Sequence, residues 1–224
     1  MPRRFLLTIA AAVTLISPIP AAADPVVITD GTFGIGWARG GFRFFWFDLR
    51  SEDFHIYGGE GDGQRNSQFL PRCHEFLPCD AGDTTMLSGP YGIFTAGGRA
   101  ESDGVSYGLT RYAGSALFSS PTVTIPSSTA ASIQVQAPFT FSASLAIDAV
   151  RTLPPDWVPV GQFDLTGQGT VTATLLNRPG GSGNPGYWIQ HISYEFAEPV
   201  PEPATLLLLG TGLAAIVRAR RRTT

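Results

Sequence analysis

The strict alternation of apolar and polar residues in two stretches is the feature that most constrains the fold. Residues 139–147 run Phe-Thr-Phe-Ser-Ala-Ser-Leu-Ala-Ile, and residues 171–175 run Val-Thr-Ala-Thr-Leu. Successive side chains of a strand point to opposite faces, so each stretch has one buried and one solvated face. No segment between residues 24 and 198 shows the 3.6-residue apolar stripe of an amphipathic helix. The alternation therefore predicts antiparallel sheets that face water on one side.

Short runs rich in β-branched and aromatic residues recur along the same region, divided by clusters of Gly, Pro, Asn and Asp. They cover residues 26–29, 42–49, 54–57, 106–112, 122–125, 132–136, 139–147, 162–165, 170–176 and 187–196. Many short strands in one domain predict an all-β fold. We expect residues 24–198 to form a single antiparallel β-sandwich ectodomain of jelly-roll type.

The first 23 residues have the pattern of a secretory signal peptide. Two arginines at positions 3 and 4 precede an apolar helical run over residues 5–16, which ends at Ser-Pro-Ile-Pro. Ala21 and Ala23 form a small-x-small cleavage pattern before Asp24. The sequence therefore predicts export, with residues 1–23 removed by the export machinery.

A second targeting pattern lies in residues 199–224. Val200, Pro201, Glu202 and Pro203 precede an uncharged apolar run over residues 204–217, and Arg218, Arg220, Arg221 and Arg222 follow it. The prolines favour an extended peptide, the run predicts a C-terminal transmembrane helix, and the arginines predict a cytoplasmic stop. A buried core helix is the alternative, but it leaves the arginine cluster unexplained.

The Pro-Glu-Pro motif, the Leu-rich span interrupted by glycine and the Arg-rich end resemble the PEP-CTERM sorting signal of exported bacterial proteins. The resemblance implies an exosortase-type membrane transpeptidase as partner, with cleavage near residues 201–203. It also implies a host that makes extracellular polysaccharide, and an inner-membrane-anchored precursor that becomes a cell-surface or extracellular protein. The chain would be the substrate of that enzyme, so the resemblance assigns no catalytic residue.

The ectodomain is acidic. Residues 24–198 carry nine arginines and seventeen acidic residues, a formal net charge of −8 with histidine neutral. A charge of this sign argues against nucleic acid as a partner and against adsorption to anionic lipid.

Cys73 and Cys79 are the two cysteines of the chain. In an exported protein, cysteines this close in sequence predict a disulfide that pins a loop. The alternative is a metal site that uses both thiolates and His74, but it lacks a fourth ligand and the usual short cysteine spacing.

Acidic residues in two glycine-rich fragments are the nearest approach to a catalytic site. The fragments Glu60-Gly-Asp62 and Glu101-Ser-Asp103 approach the strand-borne Glu-x-Asp-x-Glu pattern of some glycosidases, but each lacks the third acid and favours a turn. We therefore predict no catalytic residue, no enzyme activity and no cofactor.

Glu60, Asp62 and Asn66 alternate oxygen-bearing side chains through glycine-rich sequence, as calcium loops do. A plain turn is the alternative, because the twelfth position of such a loop is Pro71 and no helices flank it. The fragment remains a weak calcium candidate, and no other metal site is predicted.

Aromatic residues occupy both faces of the run 42–47. Phe42, Phe44 and Trp46 are expected on one face, and Phe45 and Phe47 on the other. Either a loop covers the second face, or that face is an aromatic platform on which a sugar ring can stack. Trp157 and Trp188 are the other candidate glycan-binding residues, since each lies beside a Pro- or Gly-rich turn.

Three hypotheses for function follow. The first is an exported, tail-sorted, non-enzymatic cell-surface or extracellular-matrix protein associated with exopolysaccharide. The second is a carbohydrate-binding module that uses surface tryptophans, and the third is a polysaccharide-acting hydrolase.

Overall fold

The computed structural model describes residues 24–37, 43–61, 73, 78–150, 156–178 and 186–199. Within these ranges the regular structure consists of β-strands, without a helix, so the all-β prediction is confirmed. None of this described part forms an apolar helix long enough to cross a membrane. The predicted signal peptide (1–23), the membrane helix (204–217) and the Arg-rich end (218–222) lie outside the described residues.

Eleven strands follow one another along the described chain. They are β1 (Val26–Ile28), β2 (Asp30–Trp37), β3 (Arg43–Arg50), β4 (Phe54–Gly61), β5 (Thr84–Met86), β6 (Gly89–Ser102), β7 (Val105–Ser119), β8 (Thr122–Thr124), β9 (Ser132–Val150), β10 (Trp157–Arg178) and β11 (Gly186–Phe196).

Eight of these strands form a sheet that closes on itself. The antiparallel order is β2-β3-β4-β6-β7-β9-β10-β11, and β11 pairs back with β2. This single closed sheet stands in place of the two stacked sheets of the predicted sandwich. In a jelly roll the chain crosses between two sheets. Here each of the eight strands pairs with both of its neighbours in one closed sheet. Alternation cannot separate the two folds, because both bury one face of every strand.

Strand β1 belongs to the same sheet and pairs with β10 beyond the end of the β10–β11 pairing at Gly169. It pairs in parallel with β10 from Val26↔Leu165 to Ile28↔Gly167. Strand β2 follows and lies between β11 and β3. Its second residue, Gly31, has φ +108°. A Cβ on Gly31 would lie 1.9 Å from the carbonyl oxygen of Asp48, so this close approach requires glycine. Strands β5 and β8 form a separate two-stranded sheet.

Strand β9 is longer than the sequence predicted. It joins the predicted strands 132–136 and 139–147 across Pro138, and β10 likewise joins 162–165 and 170–176. The pairing of β7 with β9 ends at Ser119↔Thr140, so Pro138 has no β7 neighbour on that side. A residue that lacks a backbone N–H is tolerated at such an unpaired edge.

Aromatic side chains fill the interior of the closed sheet, as expected for eight strands. Phe118 lies near the middle, with its ring centroid 3.9 Å from that of Tyr194. The hydroxyl of Tyr194 donates to the carbonyl oxygen of Leu87 at 2.6 Å and lies 3.0 Å from the hydroxyl of Tyr91. Burial raises the pKa of Tyr194, so the phenol stays neutral and its polar end is satisfied inside the core.

The predicted disulfide between Cys73 and Cys79 is confirmed, with the two Cα atoms 4.9 Å apart. Beside it, the backbone N–H of Cys79 donates to the oxygen of Tyr187 at 2.9 Å, and the reverse bond measures 2.8 Å. The disulfide therefore closes a loop within the connection between β4 and β5, and the backbone hydrogen bonds join that connection to strand β11.

Both ends of the predicted ectodomain reach the same end of the closed sheet. Asp24 and Glu198 line one open groove there, together with the β3–β4 turn at residues 51–53 and the β6–β7 turn at Asp103. We call this the tail end, because β11 ends there at Phe196 and leads into the sorting segment.

Candidate functional site

An aromatic row lies on the outer wall of the closed sheet, on strand β3. Phe45 and Phe47 are buried in the core, whereas Phe44 is 42% exposed and Trp46 is half-buried on the outside. The structure therefore places these four residues on the two faces that alternation predicted, and Phe42 lies outside the described residues. Of the two alternatives for the outer face, the exposed ring of Phe44 favours an aromatic platform.

The outer rings stack on one another and on a histidine from a strand two places away in the sheet. The centroids of Phe44 and Trp46 are 5.7 Å apart with planes 22° from parallel. Trp46 and His191 of β11 are 5.0 Å apart with planes 4° from parallel. We call Phe44, Trp46 and His191 the aromatic face.

Glycines on β2 allow the rings to lie across that strand and reach β11. Gly34 pairs with Trp46 and Gly36 pairs with Phe44. A Cβ on Gly34 would lie 2.1 Å from Cζ2 of Trp46, and one on Gly36 would lie 2.2 Å from Cζ of Phe44. The rings therefore occupy space that side chains at these positions would otherwise fill.

His191 is held by stacking and not by a hydrogen bond to Nε2. That nitrogen is buried and has no hydrogen-bond partner among the described residues. Burial lowers the pKa of His191, so the imidazole is neutral at pH 7. The aromatic face is therefore uncharged at pH 7.

A paired acid lies next to the aromatic face, toward the tail end. Asp48 accepts from Nε and Nη2 of Arg50 at 2.9 and 3.0 Å, and its Oδ1 lies 3.0 Å from Nε2 of His55. The Arg50 guanidinium is the main cause of a lowered pKa at Asp48, with His55 adding to it against the effect of burial. Both carboxylate oxygens thus have partners within the protein.

The other two candidate tryptophans, Trp188 and Trp157, differ in how much of the ring is accessible to a ligand. Trp188 is 6% exposed, so it offers no free ring face to a ligand. Trp157 is half-buried, and the guanidinium of Arg111 lies 4.9 Å from its ring centroid. Arg111 is itself held by Asp148 at 2.8 Å. One face of Trp157 is therefore already occupied by a cation.

The acidic fragments do not form a site in the described residues. Glu101 lies in β6, and the turn at Asp103 and Gly104 has positive φ at both residues, so the turn prediction holds there. Glu60 lies in β4, while Asp62 and Asn66 lie outside the described residues. No group of three or more His, Cys, Asp or Glu residues that could hold a metal occurs within the described part.

The open groove at the tail end is acidic. Arg50 is the cation among its lining residues, and the acids are Asp24, Asp30, Glu52, Asp53, Asp103, Asp164 and Glu198. These carboxylates surround the point where β11 leads into the sorting segment. They make that end of the domain unfavourable for close contact with anionic lipid.

Sequence reasoning missed the part of the aromatic face that does not lie on β3. The alternation within β3 gives no indication that His191 of β11 stacks on Trp46. The available signal was the alternation Phe33-Gly34-Ile35-Gly36, in which glycine occupies every outward position of an apolar-in strand. Such a pattern indicates that a neighbouring side chain covers the strand from outside.

A family model was found for the tail alone. Residues 199–222 match the PEP-CTERM protein-sorting motif, which confirms the resemblance of the Pro-Glu-Pro, apolar and Arg-rich segments. No curated protein and no solved structure matches the chain. The motif is the substrate signal of exosortase and implies a membrane-anchored precursor that is processed after export. The chain is therefore an exported, tail-sorted protein that carries a PEP-CTERM protein-sorting motif in residues 199–222.

Proposed function

We propose that this chain is a non-enzymatic cell-surface or extracellular-matrix protein that binds exopolysaccharide through its aromatic face. The observation that carries the proposal is the stacked row of Phe44, Trp46 and His191 on the outer wall. Aromatic rings are large, rigid and amphipathic, so they suit the apolar face of a sugar ring. The sorting motif supports the same conclusion, because it is typical of hosts that export polysaccharide.

The rings are held in place before a ligand arrives. Trp46 has Phe44 and His191 as near-parallel neighbours, and Gly34 lets its ring lie against the backbone of β2. Side chains that are already ordered lose little rotamer freedom on binding, which favours affinity. The arrangement therefore fits a binding surface better than accidental exposure of apolar residues.

The aromatic face lies away from the end of the domain that leads into the sorting segment. Trp46 precedes Arg50 by four residues on β3, and Arg50 lines the groove at the tail end. This separation corresponds to about 13 Å along the strand. A polysaccharide can therefore reach the aromatic face while the tail holds the precursor at the membrane.

Replacing Trp46 by alanine is expected to weaken retention on the host's own exopolysaccharide by about tenfold or more, because a large stacking surface is lost. Retention is measured by affinity electrophoresis of the full chain in a non-glycosidic detergent, so that the detergent does not compete. Trp157→Ala is the matched control, since it removes the same side chain from another part of the surface.

The proposal would be contradicted if Trp157→Ala abolished retention while Trp46→Ala left it unchanged. Retention of neither the parent chain nor any variant would also contradict it. Urea denaturation of both variants checks that the fold is intact. The length of the polysaccharide is followed by size-exclusion chromatography, and shortening of the polymer would overturn the non-enzymatic part.

Changing Pro201, Glu202 and Pro203 together to alanine is expected to leave export intact and to block removal of the tail in the native host. The physical reason is that the prolines hold the peptide extended for the processing enzyme. Immunoblotting of membrane and extracellular fractions measures the outcome, with Glu198→Ala as a control just before the motif. Persistence of the cleaved form in the triple variant would rule out this role of the motif.

A further inference from the structure

Two adjacent rows of outward residues, which include the aromatic face, carry no formal charge at neutral pH. Strand register aligns these ten residues on β3, β2, β11, β10 and β9, and we call them the uncharged band. The first row is Trp46, Gly34, Ser193, Thr172 and Gln136, and the second is Phe44, Gly36, His191, Thr174 and Gln134.

Acidic residues flank the band on the side toward the tail end. The next row toward the tail end contains Glu195 and Asp48, and the region 24–198 as a whole carries a net charge of −8. The single titratable member of the band is His191, which burial keeps neutral at pH 7. The outer wall of this acidic domain thus includes a stretch without acids that contains the stacked rings.

The polar members of the band carry hydroxyl and amide groups. Nε2 of Gln136 donates to Oγ1 of Thr172 at 3.2 Å, which links β9 to β10 on the outer surface. Ser193 lies between Thr172 and Gly34 in the same row. Hydroxyls and amides can both donate to and accept from sugar hydroxyls, and no ionised group must lose its hydration when they do so.

We propose that the ligand of the aromatic face is an uncharged polysaccharide chain that crosses the strands from Trp46 toward Gln136. This inference rests on the proposed function and specifies its ligand. Neighbouring strands lie about 4.8 Å apart, so the four intervals from β3 to β9 span about 19 Å, enough for several sugar rings. Because the outside of the closed sheet is convex, the bound chain must bend to follow the row.

The test compares uncharged polymers (dextran, galactomannan and hydroxyethylcellulose) with anionic ones (alginate and polygalacturonate) in the same electrophoresis of the full chain. Ser193→Asp places a carboxylate inside the band, and Ser142→Asp places the same charge on the outer face of β9 beyond it. We expect Ser193→Asp to weaken retention on an uncharged polymer by about tenfold or more, because the bound chain would desolvate the carboxylate. Ser142→Asp is expected to be retained on that polymer as strongly as the parent chain.

Retention on at least one uncharged polymer, insensitive to added salt and lost in Ser193→Asp but not in Ser142→Asp, is the expected result. Retention on anionic polymers alone, still abolished by Trp46→Ala, would overturn the inference and leave the proposed function standing. Equal loss in Ser193→Asp and Ser142→Asp would also overturn it, since only overall charge would then matter. Retention on no polymer, including the host's own, would overturn both proposals.

Discussion

Replacing Phe118 by alanine is expected to lower the free energy of unfolding by about 3–5 kcal/mol, a large part of the total for a domain of this size. The side chain is fully buried at the centre of the closed sheet. Removing it leaves a cavity that several strands would have to move together to fill. Its ring contacts those of Phe33, Tyr91, Phe139, Phe141, Tyr194 and Phe196.

The neighbouring residue provides the control for that measurement. Leu117 is 48% exposed on the outer wall, so Leu117→Ala is expected to change stability by no more than about 0.5 kcal/mol. Urea denaturation followed by circular dichroism measures both variants. A larger loss for Leu117→Ala than for Phe118→Ala would mean that the two faces of β7 are assigned the wrong way round.

Replacing Gly114 by alanine is expected to cost about 3 kcal/mol or more, because the new methyl group meets backbone that cannot move alone. A Cβ on Gly114 would lie 2.0 Å from the carbonyl oxygen of Ser144 and 3.0 Å from the Cα of Leu145. Gly114 lies in β7, where that strand pairs with β9. The substitution therefore forces apart two strands of the ring and tests its closure.

Gly108→Ala is the matched control, since Gly108 lies on the same strand and a Cβ there would meet nothing within 4 Å. We expect this variant to be unchanged or stabilised by up to about 1 kcal/mol, because alanine restricts the unfolded chain. Equal stability of Gly114→Ala and Gly108→Ala in urea denaturation would contradict the close approach of β7 to β9.

The alternation of residues 139–147 was sufficient to predict both the strand and its buried face. In β9 the residues at odd positions from Val135 to Ala149 are buried, and the same rule correctly separated Phe45 and Phe47 from Trp46. Local periodicity is sufficient here because the position of a residue along its own strand determines the face to which its side chain points.

The closed sheet and the aromatic face could not be predicted in this way, because both depend on which strands become neighbours. Apolar and polar residues alternate in the same way in a sandwich strand and in a strand of a closed sheet. The sequence of β9 therefore does not reveal that it pairs with β10. His191 meets Trp46 because β2 lies between their strands with glycine on its outer side. Glycine is depleted in strands, so β2 was not predicted at all.

The most direct test of the proposed binding surface is to record ¹H–¹⁵N spectra of the full chain in non-glycosidic detergent during titration with the polysaccharide that it retains. Binding through the aromatic face predicts shifts of the Trp46 indole N–H and of the amides around His191 and Ser193. The indole signal of Trp157 should remain in place. An unmoved Trp46 signal, with shifts instead at tail-end residues such as Asp53 and Asp103, would contradict the assignment of the ligand to this face.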